Sequence, residues 1–230
     1  MKTVIPTIAA TAGAMASSMA YALPPELLVQ SVFPQTREEV SQMIIRPKNQ
    51  IELAKNLKFI LDHDLELKDD FYTESSLIDA FNLDEVIIDK TDNENGDIRV
   101  SVISNRFSAI FPKRTNSGGT NFVPTVHMSI GKTTHSTGLI SAGINFGMDE
   151  GGPKFDETWK IFGNEFTKLD PLFPGTYGGP LPARAFHGNE SWRRKWVSDN
   201  LEKTLTLSFN RDAELSNILI EVKNKVKKGG

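Results

Sequence analysis

One long segment, residues 168–191, combines side chains that can bind a ligand with residues that shape loops. It contains four Pro and four Gly and has no helical or strand period. Four side chains that can donate hydrogen bonds or stack on a ligand stand among them: Tyr177, Arg184, His187 and Asn189. Binding residues tend to lie on loops that a rigid scaffold positions, so we expect this segment to contact a ligand or partner. The alternative is a surface crossover pinned by Phe173, Leu181 and Phe186.

A second polar group is predicted on one face of two strands. Apolar residues alternate with polar ones over 126–130 and again over 140–146, which predicts strands with one apolar face. The polar residues that would share the opposite, outer face are His127, Ser129, Ser141 and Asn145. Such a surface can accept a ligand or another chain. It also resembles the solvated side of any antiparallel sheet, so both interpretations stay open.

No catalytic motif points to an enzyme. The sequence contains no G-x-S-x-G and no P-loop, so a non-catalytic protein is expected. The alternative is an envelope hydrolase with His187 as base or ligand and Asp149 or Glu150 as its acidic companion. A zinc site would require His127 and His135 to meet a carboxylate such as Asp149 in space, because the histidines form no recognisable array. We therefore expect no metal and no cofactor.

Charge and composition narrow the class of partner. The chain has a formal net charge of −3 and no cysteine, which excludes thiol catalysis and thiolate metal sites. Nucleic-acid affinity depends on neutralising phosphates, so no nucleic-acid partner is expected. The cluster Trp192-Arg193-Arg194-Lys195-Trp196 mixes aromatic rings with cations. On a strand, Trp192, Arg194 and Trp196 share one face, which favours a structural cation–π ladder.

Residues 1–22 have the form of a secretory signal peptide. Lys2 precedes an uncharged run from Val4 to Ala20, and Ala20-Tyr21-Ala22 fits the small-residue cleavage pattern. The run is shorter and more polar than a membrane span, which needs about 20 strongly apolar residues. We expect cleavage after Ala22 and a periplasmic or secreted mature chain with no transmembrane segment. An uncleaved anchor is the alternative.

The elements that must position these residues follow from the periodicity. Residues 23–84 are predicted to be a helical N-terminal segment of the domain, with a Thr36–Glu39 capping box, a helix from Asn49 and a shorter helix after Thr73. Residues 85–230 are predicted to form an antiparallel sheet with one inserted helix that carries Phe155, Trp159 and Phe162.

Three connections are predicted within the sheet region. The first is a hairpin turn at Asn95-Gly96, the second a polar loop from Lys113 to Phe122, and the third a loop centred on Gly131 to Thr134.

The fold class is therefore α+β. A single domain, 23–230, is expected to consist of about seven strands in a mainly antiparallel sheet, with two or three short helices packed on one face. The expected function is non-catalytic binding of a protein or small ligand of the cell envelope, through the outer sheet face and segment 168–191.

Overall fold

The computed structural model describes residues 44–107, 113–115, 122–124, 126–148, 150–170 and 182–224. These residues include three helices, α1 (Gln50–Asp62), α2 (Glu74–Phe81) and α3 (Phe155–Phe162), and two 3-10 turns, Leu65–Leu67 and Asp69–Phe71, lie between α1 and α2. The predicted signal peptide and the Thr36–Glu39 capping box lie outside these residues. No helix within them is long and apolar enough to cross a membrane.

Eight strands form one fully antiparallel sheet, in agreement with the predicted α+β class. Their order across the sheet is β1-β2-β5-β6-β10-β9-β8-β7. The strands are β1 (Leu83–Asp92), β2 (Ile98–Phe107), β5 (Val126–Thr134), β6 (Ile140–Met148), β7 (Thr167–Lys168), β8 (Ser191–Val197), β9 (Leu201–Phe209) and β10 (Leu215–Asn224). A separate two-stranded ribbon joins β3 (Lys113–Thr115) to β4 (Phe122–Pro124).

The N-terminal helices begin at the predicted capping residues. Asn49 accepts a hydrogen bond from the Glu52 backbone N–H at 2.9 Å, and the Glu52 carboxylate accepts one from the Lys48 N–H at 2.7 Å. This reciprocal arrangement satisfies donors that the first turn of α1 would otherwise leave unpaired. Thr73 caps α2 in the same way by accepting the Ser76 N–H at 3.3 Å.

The inner face of the sheet and all three helices share one hydrophobic core. Strand register places inward residues in rows across the sheet, as the alternating pattern predicted. One row lies at the centre of the core and consists of Val102, Ile130, Ile144, Ile220 and Leu205. From the helical layer, Phe81 stacks on Phe146 with ring centroids 6.0 Å apart. Burial of this apolar surface fixes the face on which the helices lie.

The prediction of a loop at Gly131 to Thr134 is wrong, because these residues belong to β5. Gly131 pairs with Gly143 inside the sheet, and the turn instead runs from His135 to Leu139. The Lys132 side chain points to the inner face, is only 3 % exposed, and forms an ion pair with Asp69. Residues 131–134 are polar and contain a glycine, yet they continue the strand. They can do so because the buried Lys132 ammonium has an ion-pair partner, Asp69, beneath the sheet.

The predicted polar loop from Lys113 to Phe122 needs a smaller correction, since both of its ends pair as β3 and β4. The Asn95-Gly96 hairpin is confirmed: the Gly96 N–H bonds to Asn93 O at 3.0 Å, and Gly96 has a φ of 77°. Positive φ is the conformation in which glycine is favoured. The predicted cation–π contact is also present, with the Arg194 guanidinium 4.5 Å from the Trp196 ring centroid.

Candidate functional site

Residues 182–190 of the 168–191 segment are held against the β9–β10 turn by their backbone. The N–H groups of Arg184 and Ala185 both donate to Arg211 O, at 2.7 and 3.1 Å. The Asn189 N–H donates to Asn210 O at 3.0 Å. A Cβ on Gly188 would lie 2.4 Å from Arg211 O, so only glycine allows this close approach. Residues 182–190, called here the docked loop, therefore have a defined position.

A carboxylate at the end of the docked loop accepts three hydrogen bonds. Glu190 binds His187 Nδ1 at 2.8 Å, Trp192 Nε1 at 3.0 Å and Lys168 Nζ at 2.5 Å. Burial by itself would raise the pKa of Glu190, but these three donors outweigh it and hold the pKa below its usual value. The network therefore joins Lys168 on β7 to the end of the docked loop.

The His187 imidazole also packs on a cluster of aromatic rings. It stacks on Phe155 with centroids 3.7 Å apart and an interplanar angle of 7°. Phe155 in turn contacts Trp159, Trp192 and Phe209. Both His187 and Asn189 have positive φ values, 66° and 59°. Non-glycine residues in this region cost about 1–3 kcal/mol each, so the surrounding contacts must hold them there.

Next to this fixed imidazole, Phe186 points away from the protein. Its side chain is 86 % exposed, the highest value among the large hydrophobic residues that the structure describes as exposed. Its ring lies 4.0 Å from His187, centroid to centroid. Arg184 belongs to the same loop, and its guanidinium lies 3.6 Å from the Asp212 carboxylate. The docked loop thus presents one aromatic ring and one cation on a rigid base.

The other predicted group lies on the outer face of the sheet, as the alternation required. Ser129 pairs directly with Asn145, and His127 pairs with Gly147. A Cβ on Gly147 would overlap the His127 ring, which shows that the imidazole lies across that glycine. Ser141 lies on the same face, four residues before Asn145 on β6, so all four predicted residues share the outer face and Ser129 and Asn145 lie directly opposite each other.

A shallow depression of about 370 Å³ occupies the middle of this face. Its floor is the Gly131–Gly143 pair, where two neighbouring strands both lack side chains. Ser129, Ser141 and Asn145 line it, together with Arg99 and Lys223. Hydroxyl, amide and cationic groups around a small-residue floor offer hydrogen bonds to a polar partner. His127 is not part of the lining.

The geometry bears on each catalytic alternative. The carboxylate bonded to His187 is Glu190, which the sequence reasoning did not consider, whereas Glu150 is exposed before α3. Asp149 and Tyr177 lie outside the described residues. Ser129 and Lys132 have the S-x-x-K spacing of some serine nucleophiles, but on a strand their side chains point to opposite faces.

The histidines proposed for zinc are also separated. His127 lies near the start of β5, and His135 follows its end, where its Nδ1 lies 3.2 Å from Asp97 Oδ2. Eight strand residues span about 26 Å, so the two imidazoles cannot share one ion. Within the described ranges, no three His, Asp or Glu side chains are grouped to hold a metal.

The residues missed from sequence are those that organise the loop. They are Lys168 on β7, Glu190 just before β8, and Phe155 on α3. Lys168 and Glu190 come together because β7 pairs with β8, and Phe155 reaches His187 because of the position of α3. The only local signal is Glu190 two residues before Trp192, which places a carboxylate beside an indole N–H.

Comparison with known proteins gives no family. No protein-family model matches the chain, and no curated protein and no solved structure matches it significantly. Its function is therefore inferred from the geometry of the docked loop and the outer face.

Proposed function

We propose that this chain is an exported, non-catalytic binding protein that contacts a protein partner through the docked loop, with Phe186 at the centre of the contact. The observation that carries the proposal is an 86 % exposed Phe186 on a loop whose backbone is tied to the β9–β10 turn. Phe and Arg side chains are enriched in protein interfaces, and here both stand on one loop whose backbone is already hydrogen-bonded.

Rigidity favours binding because it lowers the cost of ordering the loop. Four backbone N–H groups of the docked loop, those of Arg184, Ala185, Gly188 and Asn189, are already hydrogen-bonded. Association loses less conformational entropy when a contact segment is preorganised. Aromatic and arginine side chains are enriched among the residues that contribute most to protein interfaces, and Phe186 and Arg184 provide both.

The surroundings of His187 favour a structural role over a catalytic one. One face of its ring stacks on Phe155, and the Phe186 ring lies 4.0 Å from it, centroid to centroid, so the imidazole joins the docked loop to the aromatic cluster. The imidazole here contacts the rings of both Phe155 and Phe186.

The outer face supplies a second polar contact surface in this proposal. The depression over Gly131 and Gly143 is wide and shallow, which suits hydrogen bonding to a protein surface. Export to the envelope or the medium is part of the same proposal and rests on residues 1–22. Fractionation followed by N-terminal sequencing tests it: we expect a mature chain that begins at Leu23.

Affinity capture with two matched variants tests the binding role. Phe186→Ser removes the exposed ring, and Val197→Ser removes another exposed apolar residue, 60 % exposed on β8. Burying a Phe side chain contributes about 1.5–3 kcal/mol, so Phe186→Ser should weaken binding to the captured partner by about 10- to 100-fold. Val197→Ser should bind normally. Equal affinity of folded wild-type protein and Phe186→Ser would contradict the proposal.

A hydrolase is the second candidate, because His187 and Glu190 form the histidine–carboxylate pair that a general base uses. It predicts turnover of ester or glycoside substrates that His187→Ala abolishes. Binding that persists in folded His187→Ala protein, with no turnover by the wild-type chain, would favour the binding proposal.

A further inference from the structure

The two edges of the sheet differ in length and exposure. At one edge β7 has only two residues, which is one way in which proteins limit unwanted strand pairing. At the other edge β1 has ten residues, and among the described strands it pairs with β2 alone. Its residues from Asp89 to Asp92 are all exposed. This long outer strand is the feature from which we draw an inference.

The phase of the hydrogen-bond ladder identifies the backbone groups on the open side of β1. The hairpin bond from the Asn93 N–H to Asp97 O sets the phase. Since bonded residues alternate in an antiparallel pair, Thr91, Asp89 and Ile87 face their partners on β2. The N–H and C=O groups of Ile88, Lys90 and Asp92 therefore point away from the sheet. In the described part of the chain they have no backbone partner.

An apolar pair lies beside this open edge. Ile87 on β1 and Ile103 on β2 are opposite each other, and they are 60 % and 52 % exposed. Both point to the outer face, where most neighbouring side chains are polar. A strand added beside β1 would place a side chain against Ile87 and remove apolar surface from water.

The negative charge of β1 favours a basic strand beside it over an acidic one. The strand carries Asp84, Glu85, Asp89 and Asp92 against a single Lys90. Asp84, Asp89 and Asp92 form no ion pair with any described cation. Pairing of β1 with the same strand of a second copy would bring two acidic strands together, and in the symmetric register centred on Lys90 it would also oppose the two lysines. Like charges at opposed positions destabilise a sheet, so self-pairing is disfavoured.

We propose that the β1 edge binds a basic extended segment of a protein partner, which adds to the sheet as a ninth strand. Backbone bonds to Ile88, Lys90 and Asp92 would provide affinity. Apolar side chains over Ile87 and cations beside Asp89 and Asp92 would provide selectivity. This surface is separate from the docked loop, so the proposal is independent of the role of Phe186.

Peptide titration followed by NMR tests the proposal on the intact chain. The probes are the peptide (Lys-Val)4 and its acidic counterpart (Glu-Val)4. We expect the basic peptide to shift and protect the amides of Ile88, Lys90 and Asp92, with little change at Asp89 and Thr91. Binding should weaken with added salt, and the acidic peptide should bind at least about tenfold more weakly.

Lys90→Pro separates backbone pairing from charge attraction. Proline removes the open-edge N–H and is tolerated at such positions because that N–H bonds to no other strand. It should weaken (Lys-Val)4 binding about tenfold, whereas Lys90→Ala should bind as well as the wild type or better. Unchanged affinity in folded Lys90→Pro, or shifts that map away from β1, would overturn the proposal. If Lys90→Pro does not fold, Asp89→Asn with Asp92→Asn provides the test, and unchanged binding again overturns it.

Discussion

The most informative perturbation of stability is Glu66→Gln. Glu66 lies in the first 3-10 turn after α1, is 0 % exposed, and neither carboxylate oxygen has a hydrogen-bond partner within the described residues. Burial, with a smaller contribution from the nearby Asp64, raises the pKa of Glu66 from 4.5 to about 8. Lys203 and Lys68 oppose the change but do not cancel it. At neutral pH the folded protein therefore holds a proton on this carboxyl.

The sign of the pH dependence follows from this shift. Between pH 4.5 and 8 the folded chain keeps the Glu66 proton and the unfolded chain releases it, so raising the pH favours unfolding. At 1.36 kcal/mol for each pH unit, the loss reaches about 3 kcal/mol at pH 7 and about 5 kcal/mol above pH 8. Glutamine is neutral and of the same shape, so the variant should be more stable by these amounts, with no gain near pH 4.5.

Urea unfolding at pH 5, 6, 7 and 8 measures the effect. The free energy of unfolding of Glu66→Gln relative to wild type should increase steadily across this range. Glu94→Gln is the matched control, because Glu94 is exposed on the β1–β2 hairpin turn and should give no such trend. The pKa values of Glu190, Asp97 and Glu214 are lowered. These carboxyls therefore titrate below pH 5 and do not contribute to the trend between pH 5 and pH 8. A constant difference between wild type and Glu66→Gln from pH 5 to pH 8 would refute the reasoning.

Three further predictions concern the docked loop and the inner face. Gly188→Ala would push a methyl group against Arg211 O, so it should cost about 1–3 kcal/mol and speed hydrogen exchange of the loop amides; unchanged exchange would contradict the docking. The depressed pKa of Glu190 contributes stability above pH 4.5 that is lost as the pH falls, so Glu190→Gln should flatten the decline in Tm between pH 6 and 3. Asp69→Asn removes the carboxylate paired with the buried Lys132 ammonium; because the Asp69 side chain is 95 % exposed and Lys132 also donates to Leu67 O, it should cost about 1 kcal/mol in urea unfolding, and Asp69→Asn combined with Lys132→Met should recover most of that loss.

Periodicity accounts for most of the fold but not for the docked loop. The spacing of Leu205, Leu207 and Phe209, and of Ile218, Ile220 and Val222, predicts strands that the structure confirms. These elements follow from local pattern because one face must be buried. The exact position of His187 does not, since a positive φ at this residue is imposed by tertiary contacts with Phe155 and Glu190.

One wrong prediction and one feature that was not predicted have the same origin. Gly131 to Thr134 has the composition of a loop, yet Asp69 beneath the sheet allows Lys132 to be buried within a strand. Glu66 lies between two leucines in a sequence that gives no sign of an inward carboxyl, and it is buried because the turn around it packs under β6. The burial of Lys132 and of Glu66 depends on residues that are distant in the sequence, so local patterns cannot predict it.

Photo-crosslinking from position 186 tests the binding function most directly. Benzoyl-phenylalanine would replace Phe186 in cells that make the protein, with the same probe at Val197 as the matched exposed position. The proposed function predicts one discrete cross-linked protein from position 186 and none from position 197. Failure to cross-link from position 186 in normally folded protein, or identical products from both positions, would contradict it.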